Sequence, residues 1–182
     1  KKLSSLKINM ICSTHGPVWQ KHLSDAIAVY DRLSSGKTEK GLVICYGSMY
    51  GNTERMAEAL AEGAAEAGMQ KIVIHNLSVS ETSFVLADVF RYDRLAIGSP
   101  TYNGGVFPLV EDFFARLSER IVSNHKLGLF GGYTWSSQAV KKMMAYNEKM
   151  KMQLIDKTVE WKQGVSQDSL SRVKELGRLL GE

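Results

Sequence analysis

The regular alternation of two kinds of segment constrains this chain more than any other feature of its sequence. From Gly41 onward, short and mostly apolar runs alternate with longer segments in which apolar residues recur at helical spacing. Such alternation is typical of an α/β domain in which helices cover both faces of a parallel sheet. Short apolar runs are also what buried parallel strands require. Five strands are predicted, at residues 42–46, 71–75, 94–98, 126–130 and 158–161.

The segments between the strands carry the apolar stripe of amphipathic helices. Their ends have suitable residues: Pro108 fits a first helical turn, Ser166 is a good N-cap, and Gly68 tolerates the backbone of a helix C-terminus. Apolar residues at helical spacing lie within 56–64, 110–121, 139–144 and 170–180. The sequence therefore predicts a doubly wound α/β fold with a five-stranded parallel sheet.

Composition and charge exclude several classes of protein. The chain has 182 residues, 44% of them hydrophobic and 23% charged, which suits one globular core. No apolar run approaches the roughly 18 residues of a membrane span. The net charge of +4 is spread among acidic residues, which argues against nucleic acid binding. With only Cys12 and Cys45, a disulfide framework is not expected, and a reducing cytoplasm is the predicted location.

The first forty residues follow a different pattern. They predict a short strand at 8–11, a polar loop containing His15, a helix at 19–33 and a linker at 34–37. We therefore expect residues 1–40 to form an extension with a linker, and residues 41–182 to form the main domain. The chain starts without Met and without a secretory signal, which suggests a cytoplasmic fragment of a larger protein.

The loop after the first predicted strand has the composition of a phosphate site. Its residues are Ser48, Met49, Tyr50, Gly51, Asn52 and Thr53. Backbone N–H groups and hydroxyls at a helix N-terminus hold a phosphate, because the helix dipole favours an anion there. The loop lacks the signatures of triphosphate and dinucleotide sites, so a monophosphate suits it best. The alternative is a plain helix N-cap at Asn52 or Thr53.

Two further loops combine glycine with aromatic residues. The second loop comprises Ser99, Pro100, Thr101, Tyr102, Asn103, Gly104 and Gly105, and the third comprises Gly131, Gly132, Tyr133, Thr134, Trp135 and Ser136. Glycine lets the backbone approach a flat ligand closely, and aromatic side chains can stack on it. The alternatives are a tight turn in the second loop and a Trp135 that folds into the core in the third.

The positions of the three loops favour one ligand. In a parallel sheet ordered 2-1-3-4-5, ligands bind beyond the carboxyl ends of strands one and three, where the winding direction switches. All three loops follow carboxyl ends of predicted strands. One phosphate site beside two aromatic loops suits a ligand with a monophosphate tail and a planar ring. FMN has both parts.

These loops resemble those of a known family. Residues 48–53 resemble the flavodoxin phosphate loop, and residues 99–103 resemble the second flavin loop of flavodoxins. Over nearly its whole length, the chain is similar to the C-terminal part of flavodiiron proteins, also called A-type flavoproteins. The metallo-β-lactamase-like domain of that family ends in a segment similar to residues 13–19, Ser-Thr-His-Gly-Pro-Val-Trp, and Gln163-Gly164 also fits the resemblance.

The resemblance implies a flavodoxin-like domain that binds FMN and relays electrons. A rubredoxin-like protein or a flavin reductase would donate them, and a diiron centre that reduces oxygen or nitric oxide would accept them. Residues 48–53 would hold the phosphate, residues 100–104 would line the ring edge, and residues 132–135 would flank the ring, with Trp135 stacking on it. His15 would correspond to an iron ligand of the preceding domain. The family's homodimer remains open for this chain.

Two other functions are also open at this point. A stand-alone NAD(P)H:quinone oxidoreductase has similar loops, but it should begin near the first strand of the sheet. A phosphorylation-switch receiver shares the fold, but it needs paired carboxylates where this chain has Ser48 and Tyr50. No metal is expected within this chain, because His15 and His22 do not make a ligand set. For His75 and His125, we expect surface or hydrogen-bonded positions.

Overall fold

The computed structural model describes residues 6–120 and 124–182, and it divides into two compact units, Lys1–Lys37 and Thr38–Glu182. Residues 1–5 of the predicted extension and Ile121 of a predicted helix lie outside the described residues. In the part of the chain that is described, no helix is long and apolar enough to cross a bilayer.

The first unit contains a small hairpin and one helix. Strand β1 (Ile11–Cys12) pairs antiparallel with β2 (Val18–Trp19), and helix α1 (Leu23–Ser34) follows. The predicted boundaries are wrong here, because the strand does not cover residues 8–11 and the helix does not begin at Trp19. Trp19 instead pairs with Ile11 across the hairpin. None of the residues in α1 is buried.

A parallel sheet forms the centre of the second unit. Its main strands are β3 (Glu39–Tyr46), β4 (Ile72–Asn76), β5 (Tyr92–Tyr102), β7 (Lys126–Tyr133) and β9 (Val159–Lys162). They are ordered β4-β3-β5-β7-β9, and neighbouring strands are parallel. This order confirms the predicted order 2-1-3-4-5 and the flavodoxin-like doubly wound fold.

The described sheet also has two short strands that the sequence does not predict. β6 (Gly105–Val106) forms a hairpin with the end of β5, and β8 (Gln153–Leu154) pairs with the start of β7. β9 pairs with the end of β7, so the edge of the sheet beside β7 is formed by two strands in succession.

Within the described residues, five helices cover the two faces of this sheet. They are α2 (Asn52–Glu66), α3 (Thr82–Arg91), α4 (Pro108–Ser118), α5 (Ala139–Met150) and α6 (Gln167–Gly181). Helices α2 and α6 enclose one apolar cluster with the sheet, and α3, α4 and α5 enclose the other. Side chains alternate between the two faces along each strand, so Ile44 joins the first cluster and Val43 the second.

The sequence does not single out α3, although it lies where a crossover helix is required. Residues 84–90 are apolar at every position except Asp88, so no polar stripe marks a helical period. The structure buries Val85, Leu86 and Val89 against the sheet and leaves Phe84 exposed. Packing against the sheet, rather than local pattern, therefore selects the buried face of α3.

Helix ends follow the predicted residues elsewhere. Ser166 caps α6 in a reciprocal capping box: its Oγ accepts from the backbone N of Ser169 at 3.2 Å, and its own N donates to Ser169 Oγ at 2.9 Å. Pro108 occupies the first turn of α4. Gly68 follows α2 with a φ of +90°, a conformation that glycine adopts without strain.

Two glycines allow α2 and α6 to touch through their backbones. A Cβ added to Gly63 would lie 2.0 Å from the carbonyl oxygen of Lys174, and one added to Gly177 would lie 2.1 Å from that of Leu60. The helices are therefore closer together than any side chain at these two positions permits. This contact holds α2, which begins beside the first loop, against the C-terminal helix.

The histidines of the second unit have structural partners, as expected. His75 Nε2 lies 2.9 Å from Asp88 Oδ2, which joins β4 to α3. His125 is buried, and its Nε2 lies 2.7 Å from the carbonyl oxygen of Val89. Both contacts connect α3 to the sheet. The two cysteines, Cys12 and Cys45, are free thiols, and burial raises the pKa of Cys45.

Candidate functional site

A cleft of about 250 Å³ lies at the carboxyl ends of the central strands. It is lined by Ser48, Met49, Tyr50, Asn52, Thr53, Pro100, Thr101, Tyr102, Asn103, Gly132, Tyr133, Thr134, Trp135, Trp161 and Gln163. Three separate loops thus meet in one place. Of the residues predicted from the sequence, all line the cleft except Gly51 and Gly104.

The first loop is shaped by a left-handed glycine at the start of α2. Gly51 is the N-cap residue, with a φ of +80°, and its backbone N donates to Ser48 Oγ at 3.1 Å. No side chain caps the helix, so the interpretation of Asn52 or Thr53 as a plain N-cap is wrong. The first-turn amides, which a cap would otherwise occupy, remain available at the positive end of the helix dipole.

The electrostatics around the first loop suit an anion without a basic side chain. Among the described residues that line the cleft, none is acidic and none is basic. The nearby carboxylate of Glu54 is held by Tyr46, whose hydroxyl donates to Glu54 Oε1 at 2.7 Å. Burial, followed by the effect of Glu54, raises the pKa of Tyr46, which keeps this hydroxyl protonated. The hydrogen-bond donors that the first loop offers are therefore uncharged groups, among them backbone amides and hydroxyls.

The second loop is a tight hairpin turn that also lines the cleft. Asn103 and Gly104 connect β5 to β6 and have φ values of +46° and +68°, as a two-residue type I′ turn requires. The interpretation as a tight turn is thus confirmed. The turn leaves Tyr102 partly exposed and packed edge-on against Phe107, with ring centroids 6.1 Å apart.

A hydroxyl connects the second loop to the third. Thr101 Oγ1 accepts from the backbone N of Gln138 and from that of Ala139, each at 3.2 Å. These amides belong to the start of α5, so Thr101 caps a helix that is distant in sequence. The helix start, and with it the end of the third loop, is therefore positioned by a residue of the second loop.

The third loop is shorter than the sequence predicts. β7 continues to Tyr133, so Gly131 and Gly132 belong to the strand, where they pair with β5 and β9. Trp135 is 93% exposed, so the alternative in which it folds into the core is wrong. A tryptophan this exposed at the rim of a cleft is uncommon unless another molecule covers it.

Two lining residues, Trp161 and Gln163, were not predicted as part of the site. Both belong to the end of β9 or follow it, and Gln163 N donates to the carbonyl oxygen of Tyr133 at 2.7 Å. Gln163 also has a φ of +62°. In the sequence, the glycine at position 132 is the feature related to Trp161, because the two residues are partners in the register between β7 and β9.

A carboxyl group beneath the third loop fixes the residues that follow Trp135. The Ser137 hydroxyl donates to Glu160 Oε1, and Arg172 Nη1 donates to the carbonyl oxygen of Glu160 at 3.0 Å. Burial raises the pKa of Glu160, because the charged form is poorly solvated there. The loop is thus attached to β9 by a side chain whose charge depends on pH.

No described group of three His, Cys, Asp or Glu side chains is arranged to hold a metal ion. His15 lies in the first unit, and its side chain is exposed. The groups that the cleft offers to a ligand are hydroxyls, amides and aromatic rings.

This chain is similar in sequence and in structure to known proteins. The family model described as flavodoxin matches residues 44–175. The nitric oxide reductase of Moorella thermoacetica is 33% identical over 96% of this chain and 44% of its own length, and the type A flavoprotein of Rhodobacter capsulatus is 30% identical over 99% and 43%. The flavodiiron protein of Giardia intestinalis superposes with a TM-score of 0.90 and 29% identity, over 99% of this chain and 45% of that one. This chain spans less than half the length of these relatives.

Proposed function

The chain belongs to the flavodoxin family, and from this membership we propose that its cleft binds FMN and that the bound FMN relays electrons. The observation that carries the proposal is the convergence of three loops on one cleft, with hydroxyls and helix amides at one loop and aromatic rings at the others. Bound FMN can take up and release one or two electrons, and the protein tunes this property through stacking and hydrogen bonds.

The first loop supplies the phosphate end of this proposal. Ser48 and Thr53 offer hydroxyls, and the uncapped start of α2 offers backbone amides. The dianion would be stabilised by the helix dipole rather than by lysine or arginine. No carboxylate lines the cleft among the described residues, and the nearby carboxylate of Glu54 accepts a hydrogen bond from Tyr46.

The second and third loops supply the ring end. Tyr102 and Trp135 present aromatic surface at the rim of the cleft. Gly132 also lines the cleft, and it adds no side chain to the space between them. A flat ring placed between these loops would cover Trp135, and one face of the ring would be shielded from water. The hydrogen bonds that Thr101 Oγ1 accepts from the backbone at the start of α5 would hold the two loops at a constant separation.

For the parent protein, we propose a flavodiiron protein of which this chain is the C-terminal part. A rubredoxin-like protein or a flavin reductase would reduce the FMN, and a diiron centre in the preceding domain would accept its electrons. Support comes from the relatives named a nitric oxide reductase and a type A flavoprotein, each matched over less than half its length. The segment around His15 would then be the end of the metal domain.

Reconstitution with FMN tests the binding proposal. We expect a yellow complex with quenched flavin fluorescence, and tighter binding of FMN than of riboflavin because only FMN carries the phosphate. Trp135→Ala should weaken the binding of both flavins about fivefold, since stacking contributes roughly 1 kcal/mol. Trp19→Ala removes a partly exposed tryptophan from the first unit and serves as the control.

Two outcomes would contradict the proposal. Failure of the protein to bind either flavin would remove the binding function. Rapid NADH oxidation with a quinone, without any protein partner, would instead identify a self-sufficient quinone oxidoreductase. An electron relay should be slow in that assay and should be reduced quickly by a rubredoxin-like donor.

A further inference from the structure

The indole of Trp161 is a buried polar group at the cleft whose hydrogen-bonding capacity is not used. The side chain is 4% exposed, and it packs in the apolar cluster between the sheet and helices α2 and α6. Its Nε1 is buried, and no described atom accepts a hydrogen bond from it. A buried donor without an acceptor is unfavourable, and such groups are rare in folded proteins.

The facing strand leaves space for this indole by having a glycine. A Cβ on Gly132 would lie 2.8 Å from Cε2 and Cζ2 of Trp161 and 3.0 Å from its Nε1. Gly132 does not have a positive φ, so its backbone conformation does not require glycine. The absence of a side chain at this position therefore leaves room for the indole, and both residues line the cleft.

The position of Trp161 indicates which part of a ligand it faces. Its side chain lies on the same face of the sheet as α2, in the cluster that contains Met56 from the second turn of that helix. Asn52 and Thr53, at the start of α2, line the same cleft. Thr101 instead contacts α5, which covers the opposite face. The indole therefore lies on the same face of the sheet as α2, the helix whose N-terminus forms the proposed site for the tail of FMN.

We propose that Trp161 Nε1–H donates a hydrogen bond to an oxygen of the ribityl phosphate tail of FMN, an inference that rests on the proposed function. Solvent does not reach this nitrogen and no described residue accepts its hydrogen bond, so the ligand is the proposed source of the acceptor. Trp161 is thus a tail-binding residue, distinct in role from Trp135, which covers the ring. A phosphate oxygen would make the bond charge-assisted.

Affinities for three flavins test this assignment. Trp161→Phe keeps a buried aromatic ring and removes the N–H. We expect it to weaken FMN binding on the order of tenfold and to leave lumiflavin, which has the ring but no tail, within about twofold of the wild type. An equal loss for riboflavin identifies a ribityl hydroxyl as the acceptor, and a loss confined to FMN identifies the phosphate.

A second variant separates hydrogen bonding from packing. Replacement of Trp161 by benzothienylalanine preserves the shape of the indole and puts sulfur in place of the N–H. It should reproduce the loss of FMN affinity while leaving the stability of the FMN-free protein unchanged or slightly higher, because an unsatisfied donor has been removed. The indole proton of Trp161, followed by NMR in protein with labelled tryptophan, should move downfield when FMN is added.

The inference is overturned if both variants bind FMN as tightly as the wild type, if lumiflavin loses as much affinity as FMN, or if the indole proton does not shift. In each case the wild-type protein would still bind FMN, so the proposed function would stand. Failure of the wild-type protein to bind FMN would be a different result, because it would remove the proposed function first.

Discussion

Replacing Gly63 by alanine tests how closely α2 and α6 pack, and two opposing effects determine the sign of the result. Alanine is favoured over glycine within a helix by about 1 kcal/mol. The added Cβ would, however, lie 2.0 Å from the carbonyl oxygen of Lys174, 2.7 Å from its carbonyl carbon and 2.9 Å from its Cα. Ordinary contact begins near 3.4 Å, so the facing backbone would have to retreat by about 1.4 Å.

The clash cannot be relieved by rotating a side chain, because the nearest atoms all belong to the backbone of α6. Overpacking of this kind costs about 3 kcal/mol, at the upper end of its usual range, since two whole helices have to separate. We therefore expect Gly63→Ala to lower the free energy of unfolding by about 2 kcal/mol after the gain in helix propensity is included. For a chain of this size, the melting temperature should fall by roughly 6 °C.

Urea denaturation followed by circular dichroism measures this difference. Gly164→Ala is the matched control, because a Cβ there would have no atom within 4 Å and the residue does not have a positive φ. It should leave the unfolding midpoint nearly unchanged. If Gly63→Ala is as stable as the wild type or more stable, α2 and α6 do not touch through their backbones at this position.

Three further changes test the site itself. Gly132→Ala should displace the indole of Trp161 and weaken FMN binding about tenfold with secondary structure intact, as measured by fluorescence titration; unchanged affinity would contradict this. Thr101→Val should reduce the free energy of unfolding by about 1 kcal/mol in urea, because two amides of α5 lose their acceptor, and Thr101→Ser should not; equal losses would argue against the cap. Burial raises the pKa of Glu160 in the folded protein, so this carboxyl group ionises more readily in the unfolded chain. The free energy of unfolding therefore falls as the pH rises from the pKa of Glu160 in the unfolded chain to its pKa in the folded protein. Glu160→Gln should therefore stabilise the protein at pH 7 and lose this advantage in acid, and a pH-independent difference in urea midpoints would show that the charge is not responsible.

Much of the fold could be predicted from local patterns. The apolar runs that become β3 and β7 are recognisable without tertiary information, because burial on both faces requires nearly every residue to be apolar. Alternation with helical segments then implies parallel strands joined by crossovers, and the order of the sheet follows. Residues that begin helices, such as Ser166 and Pro108, act within one or two turns and were also predictable.

Other features depend on contacts between distant segments. α3 has no polar stripe, so its buried face depends on the sheet beneath it. The end of β7 was predicted as a loop, because glycines such as Gly131 and Gly132 are common in turns. In the structure, atoms of the neighbouring strands leave no room for a side chain at either position. A Cβ on Gly131 would lie 2.9 Å from the carbonyl oxygen of Ser99, and one on Gly132 would meet Trp161.

The residue types and spacing of this chain were sufficient to determine a doubly wound sheet and the three loops at its carboxyl edge, and to predict a phosphate and a flat ring as the ligand of those loops. Those features arise from periodicity and backbone chemistry, which act over a few neighbouring residues. The exposure of Trp135, the capping of α5 by Thr101 and the place of Trp161 beneath Gly132 depend on the folded structure. Each depends on side chains and backbone that are far apart in sequence and are brought together by strand register and helix packing, which no local pattern contains.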